Sequence, residues 1–247
     1  MSRELEGRRV LVAGGASGIG LATARLLRAA GAKVAILDRK PAPAGADDPP
    51  LPAFWADVRD SEAVDAATRG AAERMGGLDG IVYCAGVDLV AGLAETQDAD
   101  WCRILDVNLT GAMRVCRAAL AHFAPEGGSV VLVSSAAGLR PLPQRTAYCA
   151  SKAGLVMLAK AMAAELAPRG IRVNALCPGA VETGLFRTSF AEAPDKDAAR
   201  AGIRERYALA RIAEPDEMAR CILFLTSQAS SYVTGAALAA DGGRSFH

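Results

Sequence analysis

The chain has 247 residues with 28 Lys plus Arg against 27 Asp plus Glu, and this net charge of +1 gives no electrostatic basis for binding nucleic acid or an anionic membrane. Six cysteines without C-x-x-C spacing and only two histidines, His122 and His247, argue against a metal site and favour a reducing compartment. The N-terminus is short and charged, and no apolar stretch approaches the roughly 20 residues of a membrane span, which predicts a cytoplasmic protein.

Strands and helices alternate along the chain, which is typical of a parallel sheet covered on both faces. Apolar runs predict strands near 9–13, 33–37, 53–56, 78–83, 129–134, 171–176 and 236–240. Helical patterns lie near 18–30, 60–75, 99–123, 147–167 and 215–227. The proline-rich stretch 41–50 is a predicted surface loop. We expect an α/β fold, a single Rossmann-type doubly wound parallel sheet of about seven strands, with residues 1–247 forming one domain.

A glycine-rich turn joins the first predicted strand to the first predicted helix. Its sequence is Gly14-Gly15-Ala16-Ser17-Gly18-Ile19-Gly20. Glycines allow the backbone to approach a pyrophosphate closely, and the free amides of a helix N-terminus meet its negative charge. The pattern therefore indicates a dinucleotide site.

An acidic residue, Asp38, ends the second predicted strand, eighteen residues beyond Gly20. At that position a carboxylate accepts hydrogen bonds from the adenosine ribose and repels a 2′-phosphate, so NAD is favoured over NADP. The neighbouring Arg39 is able to pair with such a phosphate and leaves the choice open. Ser17 stands where a basic residue would favour the phosphorylated cofactor.

Tyr148 and Lys152 are four residues apart on a predicted helix, and Ser135 precedes them at the end of an apolar strand. Positions i and i+4 share a helix face, where an ammonium favours the phenolate of a neighbouring tyrosine. A free tyrosine titrates near ~10 and needs such help to exchange protons near neutrality. A serine hydroxyl opposite the helix would bond the same substrate oxygen. Together the three groups predict carbonyl/alcohol chemistry.

Several motifs in order resemble the short-chain dehydrogenase/reductase family over essentially the whole chain. They are the turn Ala13–Gly20, Asp57-Val58, Ala85-Gly86, Asn108, Ser135, the pair Tyr148 and Lys152, the stretch Cys177–Thr183, and Val233-Thr234-Gly235 with Asp241-Gly242-Gly243. The resemblance implies a nicotinamide cofactor. The residues it implies for cofactor binding are Gly14, Ser17, Gly18, Ile19, Gly20, Asp38, Arg39, Asp57, Val58, Ala85, Gly86, Asn108, Tyr148, Lys152, Pro178, Gly179, Val181 and Thr183.

The same resemblance implies catalytic roles. Tyr148 acts as general acid/base while hydride passes between the substrate and the nicotinamide. Lys152 lowers the pKa of Tyr148 and binds the nicotinamide ribose. Ser135 steadies the alkoxide, and Asn108 holds a water that links Lys152 to solvent. The alternatives are that Asn108 only bonds backbone and that Ser135 only caps the strand end.

Two departures from the family pattern lie near the glycine turn. Ala13 replaces a threonine, and Tyr83-Cys84 replaces two asparagines. We expect the hydrogen bonds that usually tie the first turn to the fourth strand to be missing or rerouted, with some loss of rigidity but not of activity.

Arginines suggest a substrate class. Arg145 precedes Tyr148 by three residues, and Arg187 and Arg206 lie in the variable segment 184–211, which we expect to cover the substrate. Guanidinium groups suit carboxylates. This arrangement resembles cytosolic 3-hydroxybutyrate dehydrogenases and keto-deoxy sugar acid dehydrogenases, in which arginines matching Arg145 and Arg206 hold a carboxylate. Gln144 is a further candidate, and the alternative is that these arginines are solvated or lie at subunit contacts.

Two further alternatives concern the whole protein. One is an NAD(P)-dependent enzyme acting on an uncharged substrate, such as a 3-oxoacyl thioester, sugar, polyol, steroid or xenobiotic ketone. A remote one is a non-catalytic dinucleotide-binding sensor or scaffold.

Family members are usually homotetramers, and the long predicted helices would offer apolar faces to other subunits, although a core-facing stripe has the same spacing.

Overall fold

One parallel sheet forms the centre of the molecule in the computed structural model, which describes residues 4–41, 50–191 and 193–246. In that part of the chain the strands are β1 (Arg9–Ala13), β2 (Lys33–Asp38), β3 (Ala53–Trp55), β4 (Gly80–Tyr83), β5 (Gly128–Val133), β6 (Ile171–Pro178) and β7 (Ala237–Ala240). They lie in the order β3-β2-β1-β4-β5-β6-β7, and every neighbouring pair is parallel. The predicted fold class is confirmed. The order reverses between β1 and β4, and sheets of this kind bind ligands beside such a switch point.

Helices cover both faces of the sheet. Those of the described chain are α1 (Gly18–Ala29), α2 (Ser61–Met75), α3 (Asp98–Leu105), α4 (Gly111–Ala119), α5 (Thr146–Leu166), α6 (Gly184–Thr188), α7 (Lys196–Arg204) and α8 (Pro215–Thr226). Alternate strand residues point to opposite faces, so Leu11 packs with α2, α4 and α5, whereas Val10 packs with α1 and α8. This division gives two buried apolar layers.

Local sequence explains where α2 begins and ends. The Asp60 carboxylate accepts hydrogen bonds from the amides of Glu62 and Ala63 at 3.0 and 3.1 Å, which satisfies two free donors of the first turn. Gly76 ends the helix with φ of 82°, a left-handed conformation that glycine adopts without a Cβ clash. The predicted bounds 60–75 differ by one residue.

The single helix predicted over 99–123 is wrong in detail, because the backbone widens in its middle. A π-helical segment, Asp106–Thr110, separates α3 from α4, and a short 3₁₀ turn, Leu120–His122, follows. The fully buried Tyr83 donates its hydroxyl to the Val107 carbonyl at 2.5 Å, which binds this segment to β4. The π-helical segment also carries Asn108.

The segment 184–211 contains the helices α6 and α7, which the apolar pattern did not predict. Both are short, and both begin at a side-chain cap: Thr183 Oγ1 accepts from the Phe186 amide, and Asp195 Oδ1 accepts from the Ala198 amide. The predicted loop 41–50 lies outside the described residues except for Pro41 and Pro50. None of the described helices combines the length and apolarity needed to cross a membrane.

Candidate active site

A cavity of about 200 Å³ lies at the carboxyl ends of β4, β5 and β6, beside the start of α1. Polar groups at the strand ends line it, together with apolar side chains of α6 and α7 and with Arg206 and Tyr207 after α7. The predicted site residues among its lining are Ile19, Gly86, Ser135, Arg145, Tyr148, Lys152, Pro178, Gly179, Val181, Thr183 and Arg206. Residues far apart in sequence thus meet in one place.

The end of β5 places Ser135 against α5. Its hydroxyl oxygen accepts from the Ala137 amide at 3.1 Å and begins a short turn, Ala136–Gly138, so it does cap the strand end. The adjacent Ser134 donates its hydroxyl to the Lys152 carbonyl at 2.7 Å. A Cβ on Gly138 would lie 2.7 Å from the Lys152 backbone, so glycine permits this close approach. Strand and helix are therefore fixed relative to each other.

Tyr148 and Lys152 share the face of α5 that borders the cavity. The Lys152 ammonium lies 5.7 Å from the centre of the Tyr148 ring and donates to the Val133 carbonyl at 3.0 Å. Burial lowers the pKa of Lys152 to about 8. Its side chain is nevertheless held firmly, because the Nζ bond joins it to β5.

The lowering of the Tyr148 pKa by Lys152 stays a prediction. Burial raises the pKa of Tyr148 to about 12, and hydrogen bonding by Ser135 opposes this rise. Desolvation disfavours the charged form of each group, the phenolate and the ammonium. It therefore raises the pKa of Tyr148 and lowers the pKa of Lys152. The opposing Ser135 bond shows that the serine and the tyrosine act on one another.

Asn108 lies behind the cavity wall. Its amide nitrogen donates to the Val87 carbonyl at 2.9 Å and to Ser151 Oγ at 3.0 Å, while its oxygen accepts from the Val87 amide at 2.8 Å. A Cβ on Gly86 would lie 3.5 Å from both Asn108 Oδ1 and Lys152 Nζ. Asn108 therefore bonds backbone, although that of the loop after β4 and not of its own helix, and it lies close to the lysine.

The glycine turn fits the pyrophosphate of a dinucleotide. Gly14 has φ of 78°, and a Cβ there would overlap the backbone of Ala85, whereas one on Gly20 would overlap the Gly14 carbonyl. Ser17 precedes α1 without a side-chain bond to the helix, and the first turn of α1 has no acidic residue. The start of α1 thus carries no negative side chain, and the free amides of such a helix N-terminus suit a phosphate.

Asp38 is bound to the glycine turn. Its Oδ2 accepts from the Ala16 amide and its Oδ1 from the Lys40 amide, both at 3.0 Å. Each carboxylate oxygen has a further lone pair available for a ribose hydroxyl. The side chain of Arg39 is exposed.

The site predicted for adenine contains an ion pair. Asp57 binds Arg59 through two oxygens, with Arg59 Nη2 at 2.7 Å from Oδ2 and Nε at 3.0 Å from Oδ1. The hydrogen bond from Arg59 lowers the pKa of Asp57. Val58 is buried beneath it.

The hydrogen bonds at the departures Ala13 and Tyr83-Cys84 are rerouted. The Cys84 amide donates to the Ala13 carbonyl at 2.7 Å, which keeps the first turn against β4. Tyr83 bonds Val107, as described above. The Cys84 side chain lines the cavity, and burial raises the pKa of its thiol to about 12.

The stretch after β6 encloses the cavity from the other side. Pro178, Gly179 and Val181 line it directly. Thr183 lines it too and lies against the glycine turn, because a Cβ on Gly18 would be 3.2 Å from Thr183 Cγ2. The stretch implied to touch the nicotinamide thus lies beside the turn implied to bind the pyrophosphate.

The arginines predicted to bind substrate lie in different environments. Arg145 Nε pairs with Asp88 Oδ2 at 2.7 Å, and both side chains are largely buried. Arg206 is exposed and lines the cavity. Arg187 instead pairs with Glu182 at 2.9 Å and borders a separate groove over α1 and α8. The structure thus places Arg187 outside the cavity, because the first turn of α6 directs it towards Glu182.

Gln144 also lies outside the cavity lining. It has φ of 57°, rare for a residue with a Cβ, and its side chain is exposed. Its carbonyl accepts from the Ala91 amide at 2.9 Å. The residue therefore holds the loop after β4 against the start of α5.

The cavity residues that were not predicted from the sequence include Asp88, Tyr207 and Arg244. The position of Asp88, two residues after Gly86 at the end of a strand, is a signal that was available. Arg244 follows Asp241-Gly242-Gly243, a motif that by itself indicates only the last part of the family pattern. Burial raises the pKa of Tyr207.

Comparison with known proteins agrees with this geometry. A family model described as Enoyl-(Acyl carrier protein) reductase matches residues 14–245. A cis-4-hydroxycyclohexanecarboxylate dehydrogenase of Sinomonas cyclohexanicum is 40% identical over 247 residues, covering 96% of this chain and 96% of that protein. A 2-(S)-hydroxypropyl-CoM dehydrogenase of Xanthobacter autotrophicus is 37% identical over 257 residues, covering 98% of each.

A solved structure is also similar over the whole length. The ligand-free aldohexose dehydrogenase of Thermoplasma acidophilum has a TM-score of 0.93 and 27% identity, covering 100% of this chain and 97% of that one. The fold, the cavity and the named relatives define an oxidoreductase that acts on alcohols or ketones. The chain belongs to the short-chain dehydrogenase/reductase family, whose dehydrogenases use nicotinamide cofactors.

Proposed function

We propose that the protein is an NAD-dependent dehydrogenase that interconverts a secondary alcohol and a ketone on a small substrate carrying a carboxylate. The observation that carries this proposal is the meeting of Ser135, Tyr148 and Lys152 in one cavity beside the glycine turn. The cofactor supplies hydride acceptance and donation at its nicotinamide ring.

The side chains divide the remaining work. The Tyr148 hydroxyl takes the proton of the substrate alcohol or returns it to the ketone oxygen. Ser135, which lines the same cavity, donates to the same oxygen and stabilises its negative charge. The Lys152 ammonium is positioned to stabilise the phenolate and to bond the ribose of the cofactor. Asn108 fixes the loop after β4, against which Lys152 lies.

Asp38 supports the choice of NAD. Its carboxylate is held at the end of β2 by the amides of Ala16 and Lys40, so its negative charge is fixed where the adenosine ribose would lie. A 2′-phosphate there would be repelled. Arg39 and Lys40 follow Asp38 directly and are able to soften this repulsion, and both are exposed.

Positive charge in the cavity supports an anionic substrate. Arg145 and Arg206 both line it, although Asp88 already takes one face of the Arg145 guanidinium. The pairing through Nε leaves the outer nitrogens of Arg145 for a carboxylate. A relative at 40% identity is named for a substrate with a carboxylate, cis-4-hydroxycyclohexanecarboxylate. The competing candidate is an uncharged alcohol, sugar, polyol, steroid or thioester.

The first experiment measures NADH formation at 340 nm with a panel of hydroxy acids, each beside its methyl ester. The panel includes 3-hydroxybutyrate, deoxy sugar acids and 4-hydroxycyclohexanecarboxylate. We expect turnover of acids with kcat/KM at least ~10-fold above that of their esters, since a charged hydrogen bond contributes roughly 1.5–3 kcal/mol. NADP at equal concentration should support a far lower rate.

Matched variants identify the groups responsible. Arg206→Met should reduce the preference for acids, whereas Arg187→Met, outside the cavity, should leave it unchanged. Equal turnover of an acid and its ester by the unmodified protein would overturn the anionic substrate. A rate with NADP equal to that with NAD would overturn the cofactor assignment.

The remaining features of the proposal concern the whole protein. We place it in the cytoplasm, an assignment supported by the free cysteines among the described residues. We propose one catalytic domain over 1–247, with 184–211 as its substrate lid, and a homotetramer. The exposed Met157 on α5 supports an apolar contact there, and sedimentation would test the assembly.

A further inference from the structure

Arg244 is a buried cation on the wall of the catalytic cavity. It follows β7, is only 6% exposed and lines the cavity opposite the sheet residues. Its Nη2 donates to the Pro141 carbonyl at 3.2 Å, but its buried Nε has no hydrogen-bond partner. Among the described residues, no carboxylate forms an ion pair with it. Asp241, close in sequence, bonds the amides of Gly243 and Ser245 instead.

This arrangement is energetically costly unless a ligand completes it. A guanidinium remains charged at any ordinary pH and so cannot escape burial by losing its proton. A buried charge without a counter-ion costs several kcal/mol of solvation, and an unmade hydrogen bond adds to the cost. A single carbonyl contact at 3.2 Å offsets little of this. The missing partner is an anion with oxygen acceptors.

A second cation lies near Arg244. Arg206, on the segment after α7, lines the same cavity. Arg206 and Arg244 both line the cavity beside Tyr207. Burial raises the pKa of Tyr207, the charges of Arg244 and Arg206 oppose that rise, and the nearby Asp241 carboxylate adds to it. Arg145, in contrast, is neutralised by Asp88, and that pair acts on Tyr148. Two guanidinium groups thus meet one carboxylate at the Tyr207 end of the cavity, and Asp241 is already bound by two amides, so this end keeps an excess of positive charge.

We propose that Arg244 is the principal anchor for the carboxylate of the substrate, with Arg206 as a second contact at the cavity mouth. This inference rests on the proposed function and deepens it. The reacting oxygen lies at Tyr148 and the carboxylate lies at the Tyr207 end, so the substrate carries these two groups several bonds apart. Arg145, held by Asp88, borders the reacting end of the same substrate.

The loop after Ser135 is hydrogen-bonded to the segment that carries Arg244. Arg140 Nη1 donates to the Arg244 carbonyl at 3.0 Å while Arg244 donates to Pro141. The two arginines therefore bind the final segment to this loop from opposite sides. Arg140 lies outside the cavity lining, so it provides a matched control that disturbs the same contact without facing the substrate.

The test compares a 4-hydroxycyclohexanecarboxylate with its methyl ester in the variants Arg244→Gln, Arg244→Lys and Arg140→Met. Removing the charge should raise KM for the acid about 10- to 100-fold, since charged hydrogen bonds contribute roughly 1.5–3 kcal/mol. KM for the ester and the NADH dissociation constant should hardly change. Arg244→Lys should keep part of the preference, and Arg140→Met should affect acid and ester equally.

A second measurement uses the unmodified protein with Arg244→Lys, whose retained charge and stem favour folding. Cyclohexanecarboxylate should inhibit turnover of a neutral alcohol competitively, cyclohexanecarboxamide should not, and the lysine variant should weaken inhibition by the carboxylate.

The outcomes separate the two proposals. If the unmodified protein turns over acid and ester equally and the carboxylate does not inhibit, the anionic substrate fails and the anchor fails with it. If it prefers the acid but both Arg244 variants keep that preference, only the anchor is overturned. An equal loss of turnover for acid and ester in the Arg244 variants would show that Arg244 only supports the fold. That result would likewise overturn the proposed carboxylate anchor.

Discussion

The buried ammonium of Lys152 reduces the stability of the folded protein at neutral pH. Its ammonium is buried, and its pKa is about 8 in the folded protein against 10.5 for an exposed lysine. Below pH 8 both the folded and the unfolded chain bind the proton, so the folded state bears the full cost of the buried charge. Between pH 8 and 10.5 the unfolded chain binds more protons, so this cost falls as pH rises.

We therefore expect Lys152→Met to abolish turnover while raising the free energy of unfolding at pH 7 by about 2 kcal/mol. The shift of pKa corresponds to a cost of about 3 kcal/mol for the buried ammonium, which methionine does not have. Losing the hydrogen bond to the Val133 carbonyl lowers the stability by about 1 kcal/mol. The gain should narrow by about 1 kcal/mol between pH 7 and 9. Urea unfolding at both pH values measures it.

Tyr148→Phe is the control for this result. It should also abolish turnover, but its effect on stability should be the same at pH 7 and 9, because the Tyr148 phenol keeps its proton up to a pKa of about 12. A Lys152→Met protein that is less stable than the unmodified one at both pH values would contradict the expectation.

At the scale of elements, the contact between β4 and the π-helical segment positions the catalytic face. Tyr83→Phe removes only the hydroxyl that bonds the Val107 carbonyl at 2.5 Å, in a fully buried site. We expect the free energy of unfolding to fall by about 1–3 kcal/mol, because a buried acceptor loses its partner. Because Asn108 follows Val107, kcat should fall severalfold while the NADH dissociation constant is unchanged.

The control for that change is Tyr232→Phe, since the Tyr232 side chain is fully exposed. Urea unfolding and steady-state kinetics should show no difference from the unmodified protein. A Tyr83→Phe protein with unaltered stability would mean that Val107 finds another donor.

The elements that the sequence predicted well are those with a regular apolar pattern, such as β1 and α2. The π-helical segment could not be predicted, because one widened turn leaves the spacing on either side almost unchanged. The helices α6 and α7 were missed because short polar helices have little apolar period and depend on caps such as Thr183 and Asp195.

The candidate site was predictable to the same degree. Spacing placed Ser135, Tyr148 and Lys152 together, since carboxyl ends of parallel strands meet at one edge of the sheet. Spacing does not show which arginine has a partner. The pairing of Arg145 with Asp88, 57 positions earlier, depends on the fold. For the same reason the isolation of Arg244 becomes visible only once the last strand is in place.

At the scale of the whole molecule, the proposed dinucleotide site joins the two halves of the sheet. The glycine turn and Asp38 come from β1 and β2, whereas Gly86, Lys152 and Pro178 come from the other half. A ligand that contacts both halves opposes unfolding of either. At 100 times its dissociation constant, NADH should add about 2.7 kcal/mol, which raises Tm by roughly 5–10 °C for a chain of this size.

NADPH at the same concentration should raise Tm less, because in the proposed site the Asp38 carboxylate faces its 2′-phosphate. Asp38→Asn keeps the shape and the acceptor for the Ala16 amide but loses the charge, so the shifts due to NADH and NADPH should converge. Asp65→Asn, an exposed change on α2, should leave the difference intact. Calorimetric scans of the three proteins measure these shifts. Equal shifts in the unmodified protein would mean that Asp38 does not face the ribose and that Arg39 compensates the phosphate.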